Sequence, residues 1–325
     1  MWDMARIDAA GQGRFGRLGE SRPNERLKGI VFCSAAALIF TLQDVIIKLV
    51  SGRYPLAEAL TIRCVVAFLP ILILIHLDGG LSLLRARWSP LVVLRGLMML
   101  GSYTCYYLSL AAMPLATAVA LFFSSPLFIV ALAGPLLGER AGLVRWVTIL
   151  VGFGGVLIVS RPSGAAIQPA ALLSVGAALC YALAQLMTRR LGTGERASIM
   201  TLIQNVVYLA VAGTMGLVAG RGQFAASADP SLQFLLRAWV FPTAGDLALI
   251  AATGFIAAAA GWLQTQAYRI APVNEVAPFE YSAIPWATFC GLAIWGEIPN
   301  ASTLVGILVI AAAGVYLLRR PRRRG

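Results

Sequence analysis

Ionisable side chains are few inside the apolar stretches of this sequence, and Asp44, Arg63, Arg95 and Glu280 are the candidates for chemistry among them. At the centre of a bilayer each would cost roughly 2.5–3.5 kcal/mol on insertion scales, so each should face a partner, a cavity or a solute rather than lipid. Glu280 could be the counter-ion of a cationic solute or a carboxylate that carries a proton. It could equally form an ion pair that only orders the helices, with Arg95 as its partner from a similar depth in another stretch. Arg63 could hold an anionic group such as a carboxylate, or reach the headgroups by snorkelling. Asp44 and Lys48 stand four residues apart, the spacing of a local salt bridge on one helix face, which is the favoured reading.

Aromatic residues recur near these charges. Tyr103 and Tyr106 are three apart and share a face, with Tyr107 beside them. Tyr181 and Gln185 are four apart, and Trp262, Gln266 and Tyr268 form a further group. Trp286 follows Pro285. Aromatic walls with a few polar groups suit a planar or cationic ligand. Trp88, Trp146 and Trp295 read instead as residues of the headgroup belt. Around Glu280, helical geometry aligns Ala283, Ile284 and Ala287 with the carboxylate and turns Tyr281 away.

The elements that must position these groups follow from hydropathy. Of 325 residues, 59% are hydrophobic and 12% charged, against about half and about a quarter in a soluble domain. Ten nearly uncharged windows are long enough to cross a bilayer as helices: 28–50, 56–77, 90–111, 115–137, 142–160, 169–190, 197–219, 246–268, 274–295 and 301–318. The expected fold class is an all-α integral membrane protein with ten transmembrane helices. Residues 1–27 read as a disordered tail, cytoplasmic and without signal-peptide features. Residues 321–325 read as a basic tail.

The net charge is +12. If the N-terminus is inside, nineteen Lys and Arg fall on the inner side and five on the outer, so the positive-inside rule puts both termini in the cytoplasm. The basic C-terminal run RRPRRRG fixes topology and touches anionic lipid, and the positions of the charges do not point to nucleic acid. Five cysteines, all in apolar windows and at no metal-ligand spacing, read as inert core thiols. A single histidine and no paired carboxylates at catalytic spacing argue against an integral-membrane enzyme. No catalytic residue, metal or cofactor is expected. A channel or a non-transporting scaffold are further alternatives.

The chain repeats itself. GVLIVSRP at 155–162 matches GVYLLRRP at 314–321, and LLGE at 136–139 matches IWGE at 294–297. Pro126 and Pro285 precede the two Gly-Glu pairs at similar distance. AALIFTLQDVIIK at 36–48 aligns with AALCYALAQLMTR at 177–189. Two five-helix units are therefore expected, 28–162 and 169–320, the second inverted because five is odd. Inverted repeats around a midplane site are the architecture of secondary transporters. Pro126 and Pro285 would kink equivalent helices and serve gating. Gly152, Gly154, Gly155, Gly306 and Gly314 suit close packing, either to stiffen the scaffold or to form a homodimer face.

Ten spans in two halves, each with a proline and then Gly-Glu closing its fourth span, resemble the drug/metabolite transporter superfamily and within it the EamA-type branch. The resemblance covers residues 28–320. APFEYS, PWA and WGE in the ninth window are similar to a subset that includes proposed S-adenosylmethionine and riboflavin carriers. The resemblance implies transport of a small organic metabolite across a bacterial-type plasma membrane, without an ATP-binding domain. Substrate-binding or coupling residues are then expected among Glu280, Arg95, Arg63, Tyr106, Tyr103, Tyr181, Gln185, Trp286 and Trp262. The expected partners are a small-molecule substrate and the lipid bilayer.

Overall fold

A computed structural model describes residues 23–85, 89–137, 143–159, 169–225, 229–272 and 276–319. The start of the amino-terminal tail, Trp88, the Gly-Glu pair at 138–139, the serine-arginine-proline run at 160–162 and the basic tail from 320 onwards lie outside them.

Every regular element among the described residues is helical. The helices are α1 (Pro23–Val50), α2 (Leu56–Gly79), α3 (Pro90–Ala112), α4 (Leu115–Phe122), α5 (Ser125–Leu137), α6 (Leu143–Val159), α7 (Pro169–Leu191), α8 (Ala197–Ala219), α9 (Pro230–Leu236), α10 (Ala244–Ile270), α11 (Ala283–Trp295) and α12 (Ala301–Arg319). Short 3-10 turns cover Leu81–Arg85, Gly192–Gly194 and Ala277–Ser282.

Local chemistry explains the boundaries. α1 starts at Pro23, inside the stretch read as tail, with Glu25 in its first turn and Lys48 in its last, complementing the helix dipole at both ends. α3 also opens on a proline. Asp229 caps α9 by accepting from the Ser231 and Leu232 amides, and Thr243 caps α10 by accepting from the Asp246 amide. α9 is a helix where hydropathy predicts only a connecting loop. Gly296 ends α11 with φ 65°, a conformation that a Cβ disfavours.

Two of the expected crossings are interrupted. The window 115–137 divides into α4 and α5 around Phe123 and Ser124. Pro126 has no amide proton to give to the preceding turn, and the Ser124 hydroxyl donates to the Leu121 carbonyl at 2.8 Å. The window 274–295 opens with a 3-10 stretch, so Glu280 stands on tighter, irregular backbone ahead of α11.

Among the described residues, seven helices are long and apolar enough to cross a membrane, counting 117–136 as one. The other three windows fall on α6, α11 and α12. The chain is a multi-pass membrane protein, and its surface fits that setting. Leu217 is 88% exposed, Leu150 68% and Phe289 64%, apolar exposure that hydrocarbon accepts and water does not.

α1 packs on α10, α3 on α7, α2 on α8 and α6 on α12. The two bundle ends are defined by α1, which begins at the near end and finishes at the far end. Gly254 lets α10 close on α2: a Cβ there would lie 2.8 Å from the Arg63 carbonyl oxygen. Gly152 does the same for α6, since its Cβ would meet Leu127 at 2.6 Å and Ala313 at 3.3 Å.

Candidate solute-binding cavity

A cavity of about 150 Å³ lies where α1, α2, α3, α4, α7, α8 and α10 converge on the 3-10 turn that carries Glu280. Of the four ionisable residues picked out within apolar windows, three reach its wall: Asp44, Arg63 and Glu280. Tyr103, Tyr106 and Tyr181 line it too, as do Phe122, Tyr208 and Gln264.

Tyrosine hydroxyls, rather than a cation, hold each carboxylate. Asp44 accepts from the Tyr106 hydroxyl at 2.9 Å and the Tyr107 hydroxyl at 2.7 Å, and Gln43 donates to Tyr107 at 2.8 Å. Oε1 of Glu280 accepts from Tyr181 and Tyr268, both at 2.5 Å, and from the Gln264 amide at 2.8 Å. Its Oε2 is buried with no hydrogen-bond partner. A carboxylate with one saturated oxygen and one open oxygen is held in place and still able to take a proton or a donor.

Arg63 is held differently. Its guanidinium carbon lies 4.6 Å from the Tyr103 ring centroid and 5.4 Å from that of Tyr208. Nε and Nη1 meet no acceptor, and Arg63 is in neither of the ion pairs found among the described residues. The expected alternative, a side chain snorkelling to the headgroups, does not occur: Arg63 is 5% exposed.

Arg95 does not pair with Glu280. It is wholly buried behind the wall, where Nε donates to Thr188 at 2.6 Å, Nη1 to Gln204 at 3.1 Å and Nη2 to Thr265 at 3.0 Å. Its donors therefore pin α3 to α7, α8 and α10 through neutral oxygens. The expected Asp44–Lys48 bridge is also absent. The tyrosine hydroxyls occupy Asp44, and Lys48 reaches Glu297 at 2.5 Å at the far end of the bundle, with the Trp295 ring 4.8 Å away.

Other expected site residues are not on the wall. Trp286 is 47% exposed and Pro285 is exposed, while Ala283 lines the cavity and Ala287 is buried beside it. The inward side of α11 is thus the one aligned with Glu280. Trp262 packs on Phe32 at 6.0 Å, and its indole nitrogen is buried without a partner. Gln185 is fully buried and neither amide atom finds a partner. Pro126 is buried next to the α4–α5 break. Gln264 and Tyr208 were not anticipated, although spacing carries a signal for both. Gln264 stands four before Tyr268 and Gln204 four before Tyr208, the interval that puts two polar side chains on one helix face. All five cysteines are free thiols, and no metal-binding cluster occurs among the described residues.

Residues 27–161 match the EamA-like transporter family. That stretch of the chain is similar to an EamA-type transporter domain. It is similar to a riboflavin transporter of Rhizobium johnstonii, 28% identical over 93% of this chain and 94% of that one. It is also similar to an S-adenosylmethionine uptake transporter of Rickettsia prowazekii, 24% identical over 90% of this chain and 92% of the relative. A solved structure shares the fold with a TM-score of 0.63 at 18% identity, covering 91% of this chain and 96% of its own. The family match and the names of these relatives support a small-molecule transporter of the drug/metabolite type rather than an enzyme.

Proposed function

We propose that this transporter moves a small organic metabolite by alternating access across the bacterial plasma membrane, with Glu280 coupling the movement to protons. The observation that carries this reading is the cavity between the helices, walled by aromatics and bearing Asp44, Arg63 and Glu280. Polar groups that expensive to bury serve a solute or an ion path.

The architecture proposed is ten crossings in two inverted five-helix halves, 28–162 and 169–320. Helix pairing supports it. Exchanging the halves turns the α1–α10 pair into the α7–α3 pair, and it leaves the α2–α8 and α6–α12 pairs in place. The fourth crossing of each half is the interrupted one. The excess of Lys and Arg on one side supports cytoplasmic termini.

Lys48–Glu297 and Arg53–Asp246 tie the first half to the second at the far end. Opening that end requires both pairs to break. Protonation of Glu280, which rests against Tyr181, Tyr268 and Gln264, changes what its open oxygen can hold and links occupancy to a proton gradient. The test is uptake of labelled S-adenosylmethionine and riboflavin into proteoliposomes, with and without an imposed pH difference. Saturable uptake that follows the gradient supports the reading. Flux no greater than in protein-free liposomes, for these and for amino acids, contradicts it.

A further inference from the structure

We infer that Arg63 is the anchor for an oxyanion of the transported solute, so that the cavity selects carboxylate-bearing, amino-acid-like molecules over neutral ones. The inference rests on the transport reading above and narrows it to a substrate class.

Arginine keeps its charge at any physiological pH. A buried charge without a counter-charge is unfavourable, and the described residues form no ion pair with Arg63. Asp44 is committed to Tyr106 and Tyr107, and Oε1 of Glu280 to three other donors. The rings of Tyr103 and Tyr208 attract the guanidinium but do not use its Nε and Nη1 protons. Arg95 is the internal comparison. It is equally buried, yet each of its three nitrogens has a partner. Arg95 is built as a strut and Arg63 as an open receptor for a planar oxyanion.

The rest of the wall completes the pattern. The Tyr103 hydroxyl, Oε1 of Gln43 and Oε2 of Glu280 are also buried without partners, and all three residues line the same cavity. The unmet donors of Arg63 and the unmet acceptors of Gln43 and Glu280 ask for one ligand with an anionic group and N–H or O–H donors. That is the description of an amino acid or a derivative. Phe122, Tyr106 and Tyr181 offer aromatic surface between them. A volume of about 150 Å³ is the scale of a cavity that accepts benzene. On that scale it holds a compact head group in this conformation.

The test compares matched pairs on the purified full-length protein. The probes are S-adenosylmethionine against its decarboxylated form, and phenylalanine against phenethylamine, with riboflavin as the neutral control. Affinity is read from ligand-dependent melting, which follows binding to the folded state. The expected result is that at least one carboxylate probe binds about tenfold or more tightly than its partner lacking the carboxylate. Arg63→Gln should erase that preference, and Arg63→Lys should keep part of it. Equal binding within the pairs, or a preference that survives Arg63→Gln, overturns the inference. So does binding of riboflavin alone. If Arg63→Gln does not fold, the wild-type pairs and Arg63→Lys still decide. No binding by any carboxylate also overturns it, but saturable uptake of riboflavin in proteoliposomes would leave the transport reading standing.

Discussion

Tyrosine hydroxyls, not cations, hold both carboxylates of the cavity. Removing one hydroxyl should therefore expose a buried oxygen at a cost typical of hydrogen bonds to charged groups, about 1.5–3 kcal/mol. Tyr107→Phe takes the donor from Oδ1 of Asp44, and its melting temperature in detergent should fall accordingly; an unchanged melting curve would show that Asp44 does not depend on Tyr107. Glu280→Gln should insert and fold, since glutamine fills the same space and can still accept from Tyr181 and Tyr268. Its uptake should no longer respond to an imposed pH difference, whereas the wild type slows when that difference is collapsed. Much of this was legible from residue type alone, because a charge in an apolar window needs an explanation. The partners were not. Lys48 stands within helical reach of Asp44, yet it turns to Glu297, which arrives from another part of the chain, while hydroxyls two helices further along the sequence take Asp44. Arg95 had the depth to meet Glu280, but depth does not fix direction, and its donors point to Thr188, Gln204 and Thr265.

At the scale of elements, hydropathy located the long crossings well because hydrocarbon thickness dictates their length. It could not see interruptions within a window, since irregular backbone at membrane depth keeps the same apolar composition when it lines a cavity. The α4–α5 break and the 3-10 turn at Ala277–Ser282 are of this kind. Pro126 and Pro285 stand near them, but the α4–α5 break lies at Phe123 and Ser124, ahead of Pro126, and the 3-10 turn contains Pro278 and ends before Pro285. The rotation of α11 shows why side-chain type alone misleads: Trp286 is a plausible ligand wall by chemistry, yet the alignment with Glu280 puts Ala283 inside and Trp286 outside. Pro126→Ala restores an amide donor at the α4–α5 break. It should stiffen that crossing, leaving solute affinity within about twofold while slowing transport several-fold; an unaltered turnover would mean that the break serves packing only. Gly254→Val should be more damaging, because its Cβ alone would lie 2.8 Å from the Arg63 carbonyl oxygen. Poor yield or a melting temperature well below wild type is expected, with normal stability as the contrary result.

At the scale of the whole molecule, ion pairs between the two proposed halves gather at the far end, where Glu297 both binds Lys48 and accepts from the Leu115 amide at 2.9 Å. Glu297→Gln should loosen that end. Amide hydrogen exchange around Leu115 should accelerate at least several-fold while the α3–α7 packing stays protected; identical exchange in the two proteins would separate this contact from gating. The central claim is that one cavity is offered to the two sides of the membrane in turn, and solute counterflow tests it most directly. Proteoliposomes loaded with unlabelled solute, chosen from the binding probes above, are diluted into a trace of the same labelled solute without any ion gradient. Alternating access predicts a transient accumulation of label above equilibrium, abolished in empty vesicles and weakened in Arg63→Gln. A monotonic approach to equilibrium, insensitive to the internal solute, would mean a pore or a protein that does not transport at all.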